Sequence, residues 1–172
     1  SDTLGSKSTA IGEQALSTQN FTSATDTHNT AVGFKAGLAV TTGVQNTLMG
    51  SNTGLALTDA DFNTAIGQQA LATDTKGNKS VAIGHGSLGT QNFTSSTDSF
   101  NTAVGYSAGA AITTGRLNTL IGTGAGDALN TGEGNTALGV NALGSDVKGD
   151  LSVAIGYAAL GNQSNSSNAD IY

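Results

Sequence analysis

Nine glycines fall on a fixed grid: Gly12, Gly33, Gly50, Gly67, Gly84, Gly105, Gly122, Gly139 and Gly156. Their spacings run 21, 17, 17, 17 and then 21, 17, 17, 17, so the chain repeats both as a rung, long or short, and as a block of four rungs. Such regularity belongs to stacked, quasi-one-dimensional folds in which each unit contacts only its neighbours. The blocks lie in register at 1–72, 73–144 and, in part, 145–172, so 1–172 reads as a single solenoid segment. Asp2, Asp74 and Asp146 stand one block apart, as do His28, Phe100 and Tyr172. The pattern is cut in mid-block at both ends, which predicts a piece of a longer repetitive protein.

Every rung carries a short motif that closes on the grid glycine, as in Asn29-Thr30-Ala31-Val32-Gly33 or Asn63-Thr64-Ala65-Ile66-Gly67. The residue before the glycine is Ile, Val, Met or Leu in all nine rungs, the residue two earlier is Thr or Val, and the one between is Ala or Leu. This is a period-2 strand of β-branched residues ended by a turn. Hydrophobicity predicts that the large apolar residue and its Thr or Val partner share the inward face. The Ala residues (Ala10, Ala31, Ala65, Ala82, Ala103, Ala137, Ala154), interrupted by Leu48 and Leu120, would then form a flat outer stripe. On that reading Ile83→Asp buries an unpaired charge and collapses the stack. The grid glycines call for positive φ or close backbone approach. The Asn that opens most motifs, as at Asn29, Asn46 and Asn63, is placed for a side-chain ladder like those of stacked strands.

The second half of the rung has two forms. One places Ala-Leu after the glycine (Ala15-Leu16, Ala70-Leu71, Ala142-Leu143, Ala159-Leu160, and the variant Ser87-Leu88). The other places Gly where the Leu stood and delays its large apolar residue to Val40, Leu57, Ile112 or Leu129. No rung can bury these side chains alone, but a stack can. Glycine is 25 of 172 residues and helix formers are scarce, which argues against a helical solenoid.

Each long rung has an insertion of four, nearly duplicated as Thr18-Gln19-Asn20-Phe21-Thr22-Ser23 and Thr90-Gln91-Asn92-Phe93-Thr94-Ser95, with a divergent third copy from Asn162. Insertions in solenoids emerge as loops on one face. The candidate contact loops are therefore Gln19, Asn20, Phe21 and Thr22 with Gln91, Asn92, Phe93 and Thr94. Asn20-Phe21-Thr22 and Asn92-Phe93-Thr94 also fit the N-glycosylation acceptor pattern, which arises by chance in an Asn/Thr-rich chain.

The string Ser80-Val81-Ala82-Ile83-Gly84, repeated as Ser152-Val153-Ala154-Ile155-Gly156, resembles the head repeat of trimeric autotransporter adhesins. Asn101 to Tyr106 is similar to repeats of phage tail fibres and long bacterial surface fibres. The resemblance spans all nine rungs and implies a left-handed parallel β-roll, three of which pack side by side through small residues. It also implies an extracellular location on a cell surface or virion. The rungs here are longer than the usual head repeat, and no neck, stalk or anchor is present.

Charged residues make up 10% of the chain and the formal net charge is −6, which disfavours nucleic acid and a polybasic membrane contact. With no Cys there is no disulfide, thiolate or sulfur-bound metal. His28 and His85 occupy different rung positions and form no catalytic constellation with the scattered carboxylates, so no catalytic residue and no cofactor is assigned. Asp146 with Asp150, Asp59 with Asp61, and Asp127 could lend oxygens to a Ca²⁺ site but read as turn formers, and no metal site is assigned. Phe34, Tyr106 and Tyr157 follow the glycine in a column that also holds Glu13, Gln68 and His85, an irregular candidate for a glycan platform. The Thr column (Thr30, Thr47, Thr64, Thr102, Thr119, Thr136) has the regularity of ice-binding solenoids.

The sequence thus predicts an all-β, parallel β-solenoid of nine rungs, a left-handed side-by-side homotrimer, forming a non-catalytic structural or adhesive segment of an extracellular fibre. Its partners are further copies of itself and a host-surface protein or glycan. The alternatives are a self-assembling filament with solenoid ends stacked head to tail, and an ice-binding solenoid.

Overall fold

One short strand forms in each rung, over the β-branched motif ahead of the grid glycine. In chain order these are Thr9–Ile11, Thr30–Val32, Thr47–Met49, Thr64–Ile66, Val81–Ile83, Thr102–Val104, Thr119–Ile121, Thr136–Leu138 and Val153–Ile155, numbered here as rungs 1 to 9. In the computed structural model, which describes residues 4–163, all nine are parallel and pair in sequence order as one nine-stranded sheet. The register is strict: Thr30 faces Thr47, Ala31 faces Leu48, and Val32 faces Met49. The fold is an all-β parallel β-solenoid of nine turns, without helix among the described residues. Two further short parallel pairs, Gly5–Ser6 with Thr25–Asp26 and Gly77–Asn78 with Thr97–Asp98, brace the long rungs. Asp2, Tyr172 and 164–167 of the third insertion lie outside the described residues.

The glycine grid is enforced by stacking. A Cβ at Gly67, where φ is +124°, would lie 2.6 Å from the carbonyl carbon and oxygen of Gly84, the grid glycine of the next rung. The grid is one of four columns with positive φ. The others stand five positions before the glycine, two after it and four after it, and together the four columns hold every positive-φ residue described. Three of these columns accept residues with side chains: Phe62, Phe100 and Leu117 lie at φ 61°, 50° and 60° in the first, Gln69 at 59° in the second, and Leu71 at 52° in the last. The left-handed region is costly for residues with a Cβ, but the hydrogen bonds between rungs fix it. Phe62 N, for example, donates to Val44 O at 3.1 Å.

The inward and outward faces of the strand are the reverse of the hydrophobicity-based expectation. Ala31, Leu48, Ala65, Ala82, Ala103, Leu120 and Ala137 are fully buried, whereas Ile11 is 59% and Ile155 66% exposed. The Ala stripe belongs to the core, and Ile83 lies half-buried on the outer face, so the expectation that Ile83→Asp collapses the stack does not hold. The physical reason is the narrow cross-section. The opposite wall already sends Leu16, Leu71, Leu88 or Leu143 across the interior, and only a methyl group fits against each.

The two rung forms follow from the same volume constraint. Leu48 and Leu120 replace Ala in rungs 3 and 7, and there the opposite wall carries glycine. Leu120 Cδ1 and Cδ2 occupy the space that Cβ atoms at Gly109 and Gly126 would take, each at 2.8 Å. Val40, Leu57, Ile112 and Leu129 then fill the far end of the interior.

The asparagine ladder forms as the sequence predicts. Asn46 N donates to Asn29 Oδ1 at 2.9 Å and Asn63 N to Asn46 Oδ1 at 3.0 Å, while Asn46 Nδ2 donates to Ala60 O at 2.8 Å. Each amide is buried and uses both ends, so the polar groups inside the stack are satisfied.

Candidate functional site

Because Ala faces in, the Thr/Val and Ile/Val/Leu/Met columns face out. They form two parallel rows nine rungs long: Thr9, Thr30, Thr47, Thr64, Val81, Thr102, Thr119, Thr136 and Val153 beside Ile11, Val32, Met49, Ile66, Ile83, Val104, Ile121, Leu138 and Ile155. Rungs recur at about 4.8 Å, so this face extends roughly 40 Å. Lateral packing half-buries most of these side chains, leaving their tips in solvent.

Two more columns flank the face, and they change character along the rod. Five positions before the glycine stand Lys7, His28, Gln45, Phe62 and Lys79, then Phe100, Leu117, Gly134 and Leu151. Just after the glycine stand Glu13, Phe34, Ser51, Gln68 and His85, then Tyr106, Thr123, Val140 and Tyr157. From rung 6 onward all four columns are free of charge, and most of the exposed large apolar side chains gather there. On the first flank Lys79 Nζ stands 5.2 Å from the Phe100 ring centre and 2.6 Å from Asp98 Oδ2. On the second flank His85 and Tyr106 stack at 5.2 Å, their planes within 10° of parallel.

The insertions split the expected contact residues between interior and surface. Gln19, Phe21, Gln91 and Phe93 are buried, with Phe21 7% and Phe93 6% exposed, while Asn20, Thr22, Asn92 and Thr94 point to solvent. The inward pull comes from a fully buried carboxylate. Asp74 Oδ1 accepts Gly77 N and Phe93 N, each at 3.0 Å, and Asp74 Oδ2 accepts Gln91 Nε2 at 2.5 Å. Gln91 passes the chain on, donating to Ser80 Oγ at 2.9 Å and accepting Asn101 Nδ2 at 2.8 Å. The extra residues of the rung therefore complete an internal polar network. Asp146 repeats it, accepting Gly149 N at 2.9 Å and Gln163 Nε2 at 2.7 Å. The recurrence of Asp and Gln once per block was the sequence signal for this arrangement.

Several of the remaining carboxylates act on the backbone or on a basic side chain, as Glu133 does on Arg116 Nε at 3.1 Å. Asp61 Oδ1 accepts Val44 N at 2.8 Å, and Asp150 Oδ1 accepts Glu133 N at 2.8 Å. Burial pushes the Asp61 carboxyl above its ordinary value, against the Val44 hydrogen bond and with a smaller push from the charge of Asp59. Burial likewise raises Asp127. Hydrogen bonds from Lys7 and Lys79 hold Asp26 and Asp98 below the usual range. His28 and His85 are exposed in different columns, and among the described residues no three His, Cys, Asp or Glu side chains gather where they could hold a metal. No described helix is long and apolar enough to cross a membrane. The chain matches no family model, no curated protein and no solved structure.

Proposed function

We propose that this chain is a rigid, non-catalytic segment of an extracellular fibre, built from three left-handed solenoids packed side by side along their Thr/Ile faces. The observation that carries this reading is the outward row of Ile, Val, Leu and Met that runs the full nine rungs. A flat, continuous apolar surface of that length drives association in water. Its natural complement is a second copy, whose rows repeat at the same rung spacing. Parallel copies in register bury the uncharged flanks of rungs 6 to 9 together and leave the flank charges, Lys7, Glu13 and Lys79, at rungs 1 and 5. The residues that meet are Thr, Val, Ile and Leu, not the Ala stripe that hydrophobicity suggested. Repeated contacts on three chains would give such a fibre its avidity for a cell or virion surface.

Light scattering across a concentration series tests this. A constant mass of three chains is expected. A single-chain mass overturns the side-by-side reading, and mass that grows with concentration favours the head-to-tail filament.

A second reading rests on the threonines, which stand outward in a regular column rather than inward as hydrophobicity suggested. A flat Thr array on a stacked sheet is the arrangement an ice-binding surface needs. Thermal hysteresis in a single-chain species would favour it, and its absence would remove it.

A further inference from the structure

A pair of grooves lies on a different part of the rung from the Thr/Ile face. One, of about 310 Å³, runs across rungs 4 to 6, and the other, of about 350 Å³, across rungs 7 to 9. They are the same place in successive blocks: Gln69 corresponds to Asn141, Thr73 to Ser145, and Thr90 to Asn162, each pair one full block apart. Both are floored by glycine, at Gly89 in the first and at Gly144 and Gly161 in the second. None of these residues belongs to the outward Thr or Ile columns, so the grooves stay open when that face is covered.

We propose that the two grooves are corresponding subsites, one per block, for a short neutral oligosaccharide. The lining mixes donors and acceptors on short side chains, as a polyhydroxylated ligand requires. In the second groove Asn141, Ser145 and Asn162 make no side-chain hydrogen bond to the described residues, and the Asp127 carboxylate adds an acceptor for sugar hydroxyls. In the first groove Thr73 and Thr90 have already donated their hydroxyl protons, to Gly89 O at 3.0 Å and to Ala110 O at 2.6 Å, and keep only acceptor capacity. The second groove is therefore the stronger site. Three successive rungs span roughly 10 Å, the length of two sugar rings.

Other ligand classes fit less well. Neither groove contains Lys or Arg, and the chain carries a net charge of −6, which disfavours anions. No large apolar side chain lines either groove to anchor a peptide.

The test is an amide NMR titration of the ¹⁵N-labelled chain with maltotriose, cellotriose and chitotriose, with a hyaluronan tetrasaccharide as the anionic comparison. At millimolar concentration at least one neutral trisaccharide should shift Asn141, Gly144, Ser145 and Asn162, and shift Thr73 and Thr90 more weakly. Ser145→Trp, which fills the second groove, should weaken that site by about tenfold or more and leave the first unchanged. Asn162→Ala, a milder change, should weaken it less. Circular dichroism confirms that both variants fold. No shift with any of the three neutral sugars, shifts confined to the Thr/Ile face, or equal binding of the anionic tetrasaccharide would each overturn the proposal.

Discussion

Leu48 occupies the space that Gly37 leaves open: a Cβ at Gly37 would lie 2.7 Å from Leu48 Cδ1 and 3.0 Å from Leu16 Cδ2. The two positions are coupled, and a double-mutant cycle by denaturant unfolding measures the coupling. Leu48→Ala should cost about 2–5 kcal/mol by opening a cavity. Gly37→Ala should cost about 1–3 kcal/mol by overpacking, in addition to the strain of a Cβ at φ +59°. The double variant should cost clearly less than the sum, because the added methyl enters the vacated space. Strict additivity would mean that the two rung forms are not a packing code.

The grid glycines separate backbone strain from stacking. Gly67→Ala meets both, since its Cβ would overlap the Gly84 carbonyl. Gly156→Ala meets strain alone among the described residues, none of which lies within 4 Å of its Cβ although φ is +121°. Thermal unfolding should show Gly156→Ala costing about 1–3 kcal/mol and Gly67→Ala substantially more. Equal losses would show that the rungs do not press on one another at this column.

Adjacent residues on the rung 5 strand should behave in opposite ways. Ala82→Leu has no facing glycine, because Leu71 and Leu88 hold the opposite wall, so it should destabilise the chain by about 1–3 kcal/mol through overpacking. Ile83→Lys puts its charge in solvent and should leave the melting of a single chain nearly unchanged while lowering the mass of the assembly. If Ile83→Lys unfolds the chain and Ala82→Leu is silent, the faces have been assigned in reverse.

Two carboxylates should give opposite pH signatures. Lys79 lowers the Asp98 carboxyl, so its stabilisation is full above the ordinary carboxylate range and is lost as pH falls through the lowered value. Asp98→Asn should therefore be less stable than the parent at neutral pH and equal to it in acid. Burial raises Asp127, so its charged form opposes folding above the raised value, and that penalty disappears as pH falls. Asp127→Asn should be more stable at neutral pH, and the gap should close in acid. Urea midpoints from pH 7 downward measure both, and any gap that widens on acidification contradicts the assigned shift.

The sequence made the stack legible, because a glycine column needs no tertiary information: Gly67 must sit over Gly84, and the spacing says so. Asn29, Asn46 and Asn63 were legible for the same reason. The direction of the strand faces was not. Alternation separates Thr30 and Val32 from Ala31 but does not say which side is inside, and transfer free energy favours burying Val. What decides is interior volume, set by Leu16 and Leu71 on the opposite wall. The left-handed columns were hidden because Phe62, Phe100 and Leu117 are among the last residues one would place at positive φ. The insertions misled because Phe21 and Phe93 sit in polar stretches of sequence. The buried carboxylate that draws Phe93 in, Asp74, stands a whole rung earlier in the chain.

A rod of near-identical rungs could in principle assemble out of step, one layer slipped against the next. Asp74 makes that error expensive. Moved by a single rung, it would meet a short turn that has neither Gln91 nor the amide of Phe93, and a carboxylate would be left without partners in a dry interior. Only a slip of a whole block restores its hydrogen bonds. The carboxylate thus works as a frame marker, allowing a monotonous polymer to keep count of its own layers while it folds.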